Sequence, residues 1–153
     1  SEDEVEVSVL FFLHGRFGHQ EDSSSINAIN IISESINKYI VNNSSCQELK
    51  IITIDQRNHG NRLIDISNNK AWKDNFGLNH SIPGLNQYNP DQDDQFDNIN
   101  HAFDMYSIYH STSNDISTLI NYLPTFLFPN DDKIIKNYYI AGVPLGGHAT
   151  WLT

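Results

Sequence analysis

The sequence predicts an α/β domain in which a parallel sheet is flanked by helices. Three observations carry that expectation. Val5–Leu13 (VEVSVLFFL) begins with alternation and becomes a continuous apolar run, as a strand buried on both faces of a parallel sheet does. Strand-like runs and helical periodicity then alternate along the chain, which implies parallel strands joined by right-handed crossovers. Each strand-like run also ends in a glycine-containing loop, at the strand end where open α/β sheets bind ligands.

The elements follow in order. After the first strand comes the Gly/His loop Gly15–Gln20 and then Asp22–Ser25, a cluster of helix-capping residues. Ile26, Ile29, Ile32, Ile36 and Ile40 recur at spacings of three and four, which places them on one helical face, and Asn42–Ser45 ends that helix. Leu49–Asp55 (LKIITID) is a second short buried strand. The polar tract 61–100, with two prolines and an acidic patch at Asp91–Asp97, is too long for a plain connection. It is expected to be a functional insertion or a mobile flap within a single domain spanning 1–153.

Helical patterning resumes near His101 and is clear in Ile116, Leu119, Ile120 and Leu123, with Ser113–Asp115 as capping residues and Pro124 as the end. Asn137–Gly142 is the third strand, and the chain stops nine residues after Pro144. The doubly wound pattern is therefore expected to be truncated after this strand, leaving one sheet edge exposed and prone to self-association.

Composition limits the function classes. A chain of 153 residues with 39% hydrophobic content can bury one real core. Nineteen acidic against nine basic residues leave a formal charge of −10, which argues against nucleic-acid or anionic-membrane partners. Neither a transmembrane run nor a signal-peptide pattern is present, so a soluble, cytoplasmic protein is expected, with a trimmed N-terminus since the chain opens with Ser1. The single Cys46 excludes an internal disulfide and fits a reducing compartment. Asn43-Ser44-Ser45 and Asn79-His80-Ser81 match glycosylation acceptors at the frequency an Asn/Ser-rich chain produces by chance.

Three stretches at strand ends carry candidate chemistry: His14-Gly15-Arg16-Phe17-Gly18, Asp55-Gln56-Arg57-Asn58-His59-Gly60, and Gly142-Val143-Pro144-Leu145-Gly146-Gly147. Taken alone, the first also admits the reading of an ordinary glycine-rich strand-to-helix turn. The second reads as architecture, with an Asp55–Arg57 ion pair pinning the loops and Gly60 permitting the turn. The third is a strand turning sharply through glycines into a helix.

As a set, in this order and spacing, the three resemble the α/β-hydrolase superfamily from about Val5 to Thr153. HGRFG is similar to that family's HG-x oxyanion loop, DQRNHG to its D-x-R-x-H-G turn, and GVPLGG to its nucleophile elbow G-x-S-x-G-G with proline in the serine position. The resemblance implies a sheet of the α/β-hydrolase type and an ancestral serine hydrolase acting on carboxylic esters or related acyl bonds. It implies oxyanion donors from the backbone N–H of Arg16 or Phe17 and of Leu145, a loop-orienting role for His14, and a small-molecule acyl substrate or ligand.

Pro144 departs from the pattern. It has no nucleophilic oxygen, fixes φ near about −65° and lacks an N–H, so it cannot adopt the strained positive-φ form of such an elbow. The acid and histidine that follow the elbow in the hydrolase order are also absent before Thr153. The expectation is a catalytically incompetent chain. It is either the N-terminal half of a hydrolase whose other half is missing or supplied by a partner chain, or a pseudoenzyme or binding module.

No cofactor or metal is expected. His19, His80, His101 and His110 show no metal-ligand spacing, the Asp91-Gln92-Asp93-Asp94 run lacks a calcium-loop pattern, and no nucleotide motif occurs. His148, in the first turn after the elbow, could face the pocket but reads rather as a solvated or helix-packing residue. His59 precedes the tip, whereas the catalytic histidine of this fold comes last. Ser111 and Ser113 read as capping or surface hydroxyls.

Overall fold

The computed structural model describes residues 5–42, 48–71, 98–130 and 133–153. The expectations for Cys46, His80, both glycosylation triplets and the acidic patch Asp91–Asp97 fall outside the described residues.

Strand β1 (Val5–Leu13) is the centre of a three-stranded parallel sheet of order β2-β1-β3, with β2 at Glu48–Thr53 and β3 at Lys133–Gly142. Val7–Val9 and Phe11–Leu13 are all buried, which explains why the strand is a continuous apolar run rather than an alternating one. Among the described residues both outer strands leave an edge unpaired, so the sheet has two free edges where the sequence predicted one.

β3 begins four residues earlier than its apolar pattern indicates, at Lys133. The extra length is stitched by ion pairs, Lys133 to Glu48 of β2 and Lys136 to Glu6 of β1 (2.7 Å). Val7 pairs with Ile135 and Ser8 with Asn137, so Lys136 is an added residue in the ladder. That bulge re-phases the strand, so that Ile135 on one side of it and Tyr138 and Ile140 on the other all reach the same core.

Helix α1 (Ser23–Asn42) links β1 to β2 and starts as the capping cluster predicts. Asp22 accepts the Ser25 N–H and Ser24 hydroxyl, both at 2.6 Å. Its isoleucine stripe is only half-buried at Ile29, Ile32 and Ile36, and Ile26 is exposed.

None of this stripe belongs to the deep core. Val9, Phe11 and Leu13 pack with Ile116 and Leu123 of helix α2 (His101–Leu127) and Ala149 of helix α3 (Pro144–Leu152). A satellite cluster joins Met105 and Ile108 of α2 to Leu145 of α3.

α2 is one continuous helix through both the expected cap at Ser113–Asp115 and the expected stop at Pro124. Thr112 and Ser113 are buried in it, and Asp115 is held by two arginines rather than capping a new start. Proline at 124 removes the N–H that would bond the Ile120 carbonyl. The Tyr138 hydroxyl of β3 donates to that oxygen at 3.3 Å, and the Phe128 N–H closes the last turn on the Pro124 carbonyl at 2.9 Å.

The polar tract 61–100 begins in two short 3-10 turns, Gly60–Arg62 and Ile66–Asn69. Its ends meet where Asn98 N–H donates to the Ala71 carbonyl (3.0 Å) and His101 Nδ1 to the Lys70 carbonyl (2.7 Å). No helix among the described residues is long and apolar enough to cross a membrane.

Candidate functional site

The three strand-end loops converge on His14. Its ring is buried, and Nε2 accepts the Gln56 backbone N–H at 3.0 Å. An acceptor at Nε2 places the proton on Nδ1, which then donates to the Gly15 carbonyl at 2.8 Å. The His14 carbonyl accepts both the Gln56 side-chain amide (2.5 Å) and the Gly146 N–H (3.2 Å). One residue therefore joins HGRFG, DQRNHG and GVPLGG. Burial pushes its pKa down, the direction a neutral imidazole needs.

The first loop closes by Gly18 N–H on the Gly15 carbonyl at 3.1 Å, with Arg16 and Phe17 as its exposed corners. Phe17 has φ +64°, a left-handed conformation that bulky residues rarely adopt. The Arg16 guanidinium lies over its ring at 5.1 Å.

In the second loop Asp55 is buried, and its carboxylate accepts the N–H of Gln20 and of Asn61, each at 2.8 Å. Partial desolvation pushes its pKa up, but these hydrogen bonds outweigh it and hold the group below the usual carboxylate range. Gly60, at φ +51°, lies against the same carboxylate, where a Cβ would sit 2.3 Å from it.

The expected Asp55–Arg57 pair does not form. Arg57 instead reaches α2 and grips Asp115 with Nε (2.9 Å) and Nη2 (2.7 Å), and Arg62 adds a third bond at 2.7 Å. Each oxygen of Asp55 already accepts a backbone N–H, whereas Asp115 offers a bidentate partner. Asn58, at φ +58°, staples the tract by accepting the N–H groups of Ile64 and Asp65, both at 2.9 Å.

His59 is buried with its ring 5.3 Å from that of His14. Nδ1 donates to the Arg57 carbonyl at 2.9 Å, and Nε2 has no partner among the described residues. Burial lowers its pKa too.

The third loop carries the packing of a tight strand-to-helix turn. Val143 is extended (φ −93°, ψ 165°) and donates its N–H to the Leu13 carbonyl, and Pro144 is the first residue of α3. A Cβ on Gly142 would lie 2.4 Å from the Gly146 carbonyl carbon, and one on Gly146 would lie 2.4 Å from the Leu13 carbonyl oxygen. Gly147 has more room, 3.3 Å to the nearest atom.

Position 144 is exposed and is not among the described residues with positive φ, which are Phe17, Asn58 and Gly60. Proline is favoured there because the first helical N–H has no intrahelical partner. Leu145, whose N–H belongs to the same first turn, buries its side chain against Met105 and Ile108.

Of the other flagged residues, His148 is exposed beside the Tyr109 ring at 5.0 Å. The His110 ring lies tilted beside that of Tyr106 at 5.7 Å, and Ser111 donates to the Ser107 carbonyl. Among the described residues no three His, Cys, Asp or Glu side chains group as metal ligands. No protein-family model, curated protein or solved structure matches the chain.

Proposed function

We propose that this chain is a non-catalytic protein of α/β-hydrolase type. It is related to serine hydrolases that act on carboxylic esters or related acyl bonds, and it holds a ligand or partner at its strand ends rather than turning over an acyl substrate. The observation that carries this is Pro144 as the first residue of α3, at the tip of a turn whose Gly142 and Gly146 pass too closely for any side chain. That cradle is what a nucleophile elbow requires, and the residue at its tip can neither attack a carbonyl nor take the strained conformation.

The buried histidines support the same reading. His14 spends both ring nitrogens on backbone groups, and His59 is buried and held through Nδ1, with burial lowering its pKa. The test is a short p-nitrophenyl ester assay together with labelling by a serine-directed fluorophosphonate. We expect turnover no faster than the buffer blank and no label. Turnover that co-purifies with the protein and is blocked by the fluorophosphonate overturns the proposal.

A further inference from the structure

Away from the turn at Pro144, a cleft of about 570 Å³ runs between the loop after β2 and the first half of α2. One end is built by Arg57 and Arg62, the floor by Ser107 and Ser111, and an apolar wall by Leu63 and Ile108. Its volume is in the ordinary range for small-ligand sites, about 300–1,000 Å³.

The charge at the arginine end is unbalanced. Among the described residues Asp115 is the one carboxylate bonded to the two guanidinium groups, so two positive charges share one directly bonded negative charge inside a chain of net charge −10. Each guanidinium has five N–H donors. The pair makes four described bonds, three to Asp115 and one from Arg62 to the Asp55 carbonyl at 3.0 Å, leaving donors on both groups. Asp115 and the Asp55 carbonyl fix the two forks in place, so little rotamer freedom is lost when an anion docks.

Asp104 also lines the cleft, but it accepts the Asn98 amide at 2.8 Å. It lies eleven residues from Asp115 along α2 (115 − 104), about 16 Å away at 1.5 Å per residue. The two ends therefore differ in sign.

We propose that this cleft binds a small organic carboxylate with an apolar tail, the carboxylate on Arg57 and Arg62 and the tail along Leu63 and Ile108. A single surplus charge suits a monoanion better than a phosphate, and the apolar wall has no use for a bare inorganic ion. The inference rests on the cleft alone and stands whether or not the chain descends from hydrolases.

The test is calorimetric titration of the full chain with hexanoate, hexanol and inorganic phosphate. We expect saturable binding of hexanoate that weakens with added salt, and binding at least tenfold weaker for the other two. Arg57→Gln, at a half-exposed side chain, is expected to weaken hexanoate at least tenfold. Ser107→Trp fills the cleft from an exposed helical position without touching the ion pairs, and is expected to do the same at an unchanged melting temperature. Hexanol binding as well as hexanoate, phosphate binding as well as hexanoate, no hexanoate binding at millimolar concentration, or unchanged binding in Ser107→Trp would each overturn the proposal.

Discussion

Gln56 clasps His14 twice: its backbone N–H donates to the imidazole Nε2 at 3.0 Å, and its side-chain amide donates to the His14 carbonyl at 2.5 Å. Both residues are buried, so neither bond can be replaced by water. Gln56→Ala removes the amide donor and is expected to cost about 1–3 kcal/mol in urea unfolding. Gln56→Glu is nearly the same size, yet it sets an acceptor-only oxygen against the His14 carbonyl, so it should destabilise more than alanine does. A glutamate variant as stable as the wild type would show that the clasp is not what joins the loops.

The two buried histidines give a pH dependence of definite sign. Burial lowers the folded pKa of both His14 and His59 below 6.5, so the unfolded chain binds more protons as pH falls. Their contribution is complete above about pH 6.5 and is lost as pH falls from there through the folded pKa values. Asp55 and Asp22 act in a separate, lower window. Partial desolvation pushes both up, but hydrogen bonds outweigh it and hold both below 3.8, so their contribution persists until pH falls through the carboxylate range. Urea midpoints measured from pH 8 to pH 3 should therefore fall in two steps. A flat profile between pH 7 and pH 5 would contradict neutral buried imidazoles.

The parts of this fold that are local in sequence are legible in it. Val5–Leu13 reads as a doubly buried strand because β1 is the central strand, and Asp22 reads as a cap because its partners are two and three residues away. Gly142 and Gly146 are visible as a turn signal because close packing admits nothing larger. What is not legible depends on partners far along the chain. Arg57 is drawn from Asp55 to Asp115, 58 residues away, and no local pattern announces that. The length of α2 is hidden for the same reason, since Pro124 looks like a stop until Tyr138 of β3 is seen beside it. Gln56 sits inside a motif already singled out, but its role follows only from the carbonyl of a residue 42 positions earlier.

The glycine cradle makes a graded prediction. A methyl at Gly146 would meet the Leu13 carbonyl at 2.4 Å and one at Gly142 the Gly146 backbone at 2.4 Å, whereas at Gly147 the nearest atom is 3.3 Å away. Backbone cannot swing aside as a side chain can, so Gly146→Ala and Gly142→Ala should each cost about 1–3 kcal/mol or more. Gly147→Ala should cost less than either, because its methyl needs only a small adjustment and alanine is the better helix former by about 1 kcal/mol. Thermal melts of the three variants rank them directly. Equal losses at all three positions would mean that close approach to the backbone is not what selects glycine in this turn.

Pro124 and Tyr138 should be energetically coupled. The proline leaves the Ile120 carbonyl without its helical donor, and the tyrosine hydroxyl supplies one at 3.3 Å. Tyr138 also stacks on Phe11, so Tyr138→Phe keeps the ring and removes only the hydroxyl. With proline at 124 that deletion should cost about 1 kcal/mol, the net worth of a hydrogen bond whose acceptor is otherwise unmet. With Pro124→Ala the new N–H can bond Ile120 itself, and the same deletion should cost close to nothing. Pro124→Ala alone should stabilise the helix less than its propensity gain, because the hydroxyl and the restored N–H then compete for one oxygen. A double-mutant cycle in urea should return a coupling of about 0.5–1 kcal/mol. A coupling indistinguishable from zero would mean that the tyrosine merely passes near the helix, and that α2 runs through Pro124 on the strength of its packing alone.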